Sequence, residues 1–292
     1  VRKKREAQFN NGIVDMVAEQ IRILEEVHMP SQLPTGSAHK VGVKKAPEVP
    51  ALPDEPTLEL AIPNAVHLVT DGAGLKKLEN VLQERLSGSA DLPASDSESE
   101  RAAKLTPLLP IVGIDAEWRP KSANGVALLQ MSFRRSVFLL DMVALHEQDE
   151  LWIRVARVLR KALEADHLYK VGFGLDVDLQ RLAGTLPAAL PEEVSNIIEL
   201  RELAREALPD LPLGLGLSSL TRTVFGRGLD KTWQVSDWQA RPLQPEQLEY
   251  AAQDAHVCVR LCYNHATLAT QPLQAVLSGI AKTWKKLADD AT

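Results

Sequence analysis

The chain has 292 residues, with 33 Lys+Arg against 39 Asp+Glu for a formal net charge of −6, and it is 45% hydrophobic and 4% aromatic. That is enough chain to bury a large core, and the acidic balance excludes a globally basic nucleic-acid binder while leaving room for a local basic groove. Two cysteines cannot build a disulfide framework, no Cys/His cluster has zinc spacing, and no apolar run approaches the roughly 18 residues a membrane span needs. A soluble protein of a reduced, cytoplasmic compartment is the expectation.

The N-terminus reads Val-Arg-Lys-Lys-Arg-Glu, with no Met and no signal-peptide core, as expected of a piece cut from a longer protein. Phe9, Ile13, Met16, Val17, Ile21, Leu24 and Val27 recur at helical spacing, which predicts an amphipathic helix over residues 7–28. Such a helix cannot bury its own apolar face, so residues 1–63 read as the tail of an upstream helical domain. The prolines between 29 and 63, among them Pro30, Pro34, Pro47, Pro50 and Pro63, predict an extended linker.

A domain is expected over 64–292. It opens with a strand at Val66–Thr70 and a helix at 72–86 whose Leu75, Leu78, Val81 and Leu82 face inward. Residues 87–104 are acidic and serine-rich, the composition of a solvated surface insertion. Three β-rich runs follow at 108–116, 126–133 and 137–143, the first apolar enough to be buried on both faces. Helices are expected at 149–165 and 176–184 around a strand at 167–173. A further strand is expected at 196–200, then helices at 215–225, 245–268 and 273–288. The pattern predicts an α/β fold with a mixed central sheet flanked by helices, and contains no internal repeat.

Acids stand where structure alone has little use for them. Asp115 closes the run Ile111-Val112-Gly113-Ile114 and Glu117 lies two residues on, so strand geometry turns both to one face, about 7 Å apart. Two such carboxylates repel unless a cation lies between them; a solvated strand end is the ordinary alternative. Asp178 follows Lys170-Val171-Gly172-Phe173-Gly174. The glycines suggest a dinucleotide-binding turn, but the third required glycine is Val177, which excludes it. A strand end that presents Asp178 on the first helical turn fits better, with Asp176 as the expected N-cap. Tyr250 and Asp254 are spaced i, i+4 and share a helix face, while Ala251 and Ala252 keep that helix thin. Cys258 and Cys262 continue the stripe as small core residues.

The order Asp-x-Glu, then Asp, then Tyr-x-x-x-Asp resembles the DEDD family of 3′-5′ exonucleases. A tyrosine at 250, with Glu249 where other branches have histidine, marks the DEDDy branch. Asp115-Ala116-Glu117-Trp118-Arg119-Pro120, Ala127-Leu128-Leu129-Gln130-Met131-Ser132 and Val171-Gly172-Phe173-Gly174 are similar to motifs of Werner-type exonuclease domains. So is the stretch from Lys231-Thr232-Trp233-Gln234 through Trp238 and Arg241-Pro242-Leu243 to Tyr250-Ala251-Ala252-Gln253-Asp254. The upstream helix and linker look most like the Nibbler exonucleases, which trim the 3′ ends of small RNAs held by Argonaute proteins.

The resemblance implies a ribonuclease H-like, DnaQ-type fold and a monomeric enzyme that hydrolyses single-stranded nucleic acid, RNA favoured, from the 3′ end. It implies two Mg²⁺ or Mn²⁺ ions, with Asp115 bridging both, Glu117 and Asp254 completing one shell, and Asp178 supporting the second ion. Tyr250 would orient the attacking water. Lys231, Gln234 and Trp238 in the loop before the tyrosine helix are candidate substrate contacts, as are Trp118 and Gln130. An Argonaute protein is the expected partner, and no membrane is. A DNA 3′-5′ exonuclease and an inactive nucleic-acid- or Argonaute-binding module are the competing readings.

Overall fold

The computed structural model describes residues 66–87, 109–119, 125–207, 214–268 and 273–286. The helix expected at 7–28, the linker, the boundary at 63/64 and the 87–104 insertion beyond Ser87 lie outside these residues. Strand β1 (Val66–Val69) leads into α1 (Gly72–Leu86), which Asp71 caps by accepting from the Gly74 amide at 2.7 Å. The carboxylate satisfies an amide that no helix carbonyl can reach. Leu75, Leu78 and Leu82 recur at helical period and are the buried face of α1.

The three apolar runs become β2 (Ile111–Glu117), β3 (Leu128–Ser132) and β4 (Val137–Asp141). Every residue of β3 and β4 is buried, as continuous apolar runs require when both sheet faces are covered. β4 stops two residues short of the expected end at Val143. Asp141 turns its side chain onto the Ala144 amide at 3.0 Å and starts a short helix, α2 (Met142–His146).

There follow α3 (Asp149–Glu164), β5 (Tyr169–Gly172), α4 (Leu175–Thr185), β6 (Glu193–Glu199), α5 (Leu200–Ala207) and α6 (Leu217–Phe225). The chain then runs through α7 (Pro245–Leu268), α8 (Leu273–Ile280) and β7 (Lys282–Lys285). The seven strands lie in the order β1-β4-β3-β2-β5-β6-β7. The pairs β2–β3, β3–β4 and β6–β7 are antiparallel, and β1–β4, β2–β5 and β5–β6 are parallel. This is the mixed, helix-flanked sheet expected.

Two elements differ from expectation. The helix placed at 273–288 ends at Ile280, and Lys282–Lys285 forms an edge strand on β6. Only Trp284 of that strand is buried, against the core beneath α4, so a single aromatic anchor and backbone pairing replace a helical face. Helix α5 has no counterpart among the expected elements, because it follows β6 with no turn residue between them. Leu200 and Leu203 supply its buried face.

One sheet face packs Val112, Ile114, Ala116, Leu129 and Met131 against α1, α3 and α4. The other face meets α7, and Gly113 is what lets it close. A Cβ there would stand 2.5 Å from the Ala255 carbonyl oxygen and 2.8 Å from Val259 Cγ2. Ala251, Ala252 and Ala255 are fully buried, so the helix presents its thin side to the sheet. Among the described residues no helix is long and apolar enough to cross a membrane.

Candidate active site

The close approach of α7 to β2 assembles the acids. Asp115 and Glu117 share the face of Gly113, which looks at α7, and Asp254 comes down from α7 to meet them. Carboxylate oxygens of the three lie within 4.8 Å of one another. Asp178 joins from the first turn of α4, 6% exposed, close enough for its charge to act on Glu117. The residue that starts α4 is Gly174, at φ +81°, rather than the expected Asp176, which is exposed. No atom crowds Gly174, so it is the left-handed backbone that wants glycine there. Its amide donates to Glu199 Oε2 at 2.7 Å, which ties the start of α4 to the end of β6.

Burial and mutual repulsion hold these acids away from their ordinary behaviour. Burial, then the charge of Asp254, pushes Asp115 up to about 7. Burial, then Asp115 and Asp254, pushes Glu117 up to about 10. Asp178 is raised too, by burial first and then by Asp115 and Glu199. Carboxylates in this position hold protons unless a cation takes the protons' place. Lys231 supplies part of that charge: its Nζ lies 2.7 Å from Asp254 Oδ2 and 3.4 Å from the Tyr250 hydroxyl.

Tyr250 is 6% exposed. Its phenol is pushed well above the usual tyrosine range by burial, and further by Asp254 and Glu117. The other carboxylate oxygen of Asp254, Oδ1, is buried without a hydrogen-bond partner. Three converging carboxylates, an orphaned oxygen and no sulfur or imidazole ligand suit a hard divalent cation such as Mg²⁺ or Mn²⁺.

The expected substrate contacts separate. Lys231 sits in the cluster and Gln234 is exposed on its loop. Trp118 is half-buried, with the Arg181 guanidinium 4.4 Å from its ring centroid, so that face of the indole is taken. Trp238 is a correction. It is 0% exposed, packs with Leu128, Val137, Leu139 and Tyr250, and has no face to offer a base. Its ring lies 6.0 Å from that of Tyr250, which makes it the anchor of the loop. Gln130 is a second correction, since a side chain 0% exposed cannot touch a strand.

Arg241 and Asp141 are functional partners that sequence reasoning misses. Arg241 donates from Nε and Nη2 to both Asp141 oxygens at 2.6 and 2.7 Å, and also to the carbonyls of Ala127 and Trp238. This fork pins the Lys231–Trp238 loop to β4. The available signal is an aspartate closing a fully apolar strand.

A family model described as 3′-5′ exonuclease matches residues 93–265. Exonuclease mut-7 homolog of Homo sapiens is 33% identical over 185 residues, covering 58% of this chain and 21% of that protein. Exonuclease mut-7 of Caenorhabditis elegans is 36% identical over 169 residues, covering 51% and 18%. The chain thus spans about a fifth of the length of these relatives. Among solved structures, the Aedes aegypti Nibbler EXO domain matches with a TM-score of 0.58 at 21% identity, over 77% of this chain and 99% of that one. The catalytic core of RRP6 from Trypanosoma brucei matches with a TM-score of 0.52 at 18% identity, over 77% and 53%. At these identities the likeness is one of fold.

Proposed function

The chain belongs to the 3′-5′ exonuclease family, and from that premise we propose that it hydrolyses single-stranded RNA from the 3′ end, releasing nucleoside monophosphates. The observation that carries the reading is the convergence of Asp115, Glu117 and Asp254, with carboxylate oxygens within 4.8 Å, beside the buried phenol of Tyr250. Asp115, Glu117 and Asp254 would hold one Mg²⁺ or Mn²⁺, and Asp178 would support a second. Such ions stabilise charge on the attacking and leaving oxygens of an in-line displacement.

The chain's own residues set the rest. The Tyr250 phenol, pushed up by burial and by the neighbouring acids, stays protonated at neutral pH. It therefore acts as a hydrogen-bonding group that orients the attacking water, not as a base. Lys231 stands on the partly open side of the cluster, its side chain 29% exposed, where a phosphate approaching the acids meets its charge. With a net charge of −6 the chain binds a strand through few local cations, so we propose that another protein delivers the 3′ end.

RNA over DNA, and Argonaute as that protein, follow from the Nibbler-like motifs and are supported by the fold match to a Nibbler EXO domain. The test uses matched single-stranded RNA and DNA, labelled at either end, with Mg²⁺, Mn²⁺ or EDTA. Metal-dependent release of mononucleotides from the 3′ end of RNA is expected, and cutting of circular strands would overturn the reading. Faster loss of DNA would favour the competing DNA exonuclease.

A further inference from the structure

Gln130 lies in the middle of β3 and is 0% exposed, yet both its Nε2 and its Oε1 lack a hydrogen-bond partner. A buried primary amide with nothing to bond forfeits the hydrogen bonds that water would give it, a cost of several kcal/mol at the upper end. Buried amides are normally satisfied, so an orphan of this kind calls for a function.

The sheet register shows what is near. Gln130 pairs directly with Asp115 across the antiparallel β2–β3 ladder, so both side chains leave the same face at neighbouring positions. Directly opposed residues on one face have Cβ atoms about 5 Å apart, within reach of a glutamine amide. Two residues along the same face, Ser132 faces α7 as well and is satisfied by His256 Nδ1 at 3.0 Å. Gln130 meets the part of α7 that is all alanine, Ala251, Ala252 and Ala255, which offers no side-chain donor or acceptor. The polar groups left around it belong to the acid cluster, where Asp254 Oδ1 is orphaned in the same way.

We propose that Gln130 is a positioning residue: its carboxamide is held in reserve for the Asp115 carboxylate, and fixes that carboxylate's orientation when a divalent cation is bound. Either end of the amide can be turned to donate, because a rotation of half a turn exchanges oxygen and nitrogen. The site thereby keeps a donor that is idle in the empty cluster and engaged once the ion draws the carboxylate into place. Partners of this kind set the orientation of metal-ligating side chains, and removing one typically weakens metal binding about 10- to 100-fold. Gln130 touches no substrate in this scheme. The inference rests on the proposed metal-dependent function.

The experiment compares the parent with Gln130→Met, which keeps length and removes the amide, by Mn²⁺ titration calorimetry and by thermal melting with EDTA or Mn²⁺. Gln130→Met should melt no lower than the parent in EDTA, since an unpaired polar group is lost, and should bind Mn²⁺ about tenfold or more weakly. A residue that only fills space would leave Mn²⁺ affinity where it is in the parent, and that result overturns the inference alone. If Gln130→Met does not fold, Gln130→Asn is read instead. Its amide is withdrawn by one methylene and should weaken Mn²⁺ binding too, and unchanged affinity there counts against Gln130 equally. A parent that takes up no Mn²⁺ overturns the proposed function and this inference together.

Discussion

Lys231 and Asp254 form an ion pair at 2.7 Å inside the acid cluster, with the aspartate 6% and the lysine 29% exposed. The pair brings a side-chain cation to the place where three carboxylates converge. It follows that Lys231 offsets part of the cluster's repulsion when no divalent ion is bound. Lys231→Met should lower stability in EDTA at pH 8 by about 1–3 kcal/mol, less than for a fully buried pair because the lysine is partly solvated. At pH 5, where Asp115 and Glu117 hold protons, the loss should shrink. A pH-independent loss, read by urea unfolding at both values, would show that the lysine acts through packing.

The raised carboxyls predict how metal-free stability depends on pH. Asp115 and Glu117 bind protons more tightly folded, at about 7 and about 10, than unfolded, where 3.8 and 4.5 are ordinary. Their contribution is therefore complete below about pH 4 and is lost as pH rises through 7 and on towards 10. In EDTA the melting temperature should fall from pH 5 to pH 9, and Mn²⁺ should restore more of it at the alkaline end. Asp115→Asn should flatten the lower part of this slope and abolish the Mn²⁺ response while the fold persists. A flat melting profile between pH 5 and 9 in EDTA contradicts the argument.

Tyr250→Phe removes one hydroxyl and leaves the ring that packs 6.0 Å from Trp238. Stability should change little, while kcat falls by about 2–4 kcal/mol with KM nearly constant. Because burial and the adjacent acids hold the phenol up, no alkaline limb of the parent's rate profile should belong to its ionisation. Steady-state kinetics from pH 6 to 10 decide the point. A variant that keeps most of the parent's kcat makes Tyr250 a packing residue.

Arg241→Met should cost about 3–5 kcal/mol of stability, since it leaves Asp141, with a side chain 4% exposed, charged and without its guanidinium. Arg241→Lys restores charge but not the two-pronged geometry, and should recover only part of the loss. Chemical unfolding of the two variants measures both. Equal stability of the Arg241→Lys variant and the parent would mean that charge alone matters at this clasp.

Much of this is legible in the sequence because the chemistry is carried by residues out of place. A carboxylate ending an apolar strand, as at Asp115, and a tyrosine one turn before an acid on an alanine-lined helix are visible without coordinates. The central strands are equally plain from their apolar runs. What escapes depends on partners distant in the chain. β7 exists because β6 offers it an edge, and nothing local in Lys282-Thr283-Trp284-Lys285 outweighs a helical extension of α8. Trp238 and Gln130 resemble surface contacts because aromatic and amide side chains are common at nucleic-acid interfaces. Only the covering by α7 and the Arg241 clasp puts them inside.

The acid cluster is drawn from β2, α4 and α7, and its members are separated by most of the described domain. A chain that has emerged from a ribosome only as far as β6 already displays Asp115, Glu117 and Asp178, but not Asp254 or Tyr250. Hydrolytic competence therefore arrives late in synthesis and all at once, with the helix that also closes the core over Gly113. The same dependence makes a partly unfolded copy harmless, since lifting α7 from the sheet dismantles the acid cluster before the rest of the sheet is disturbed.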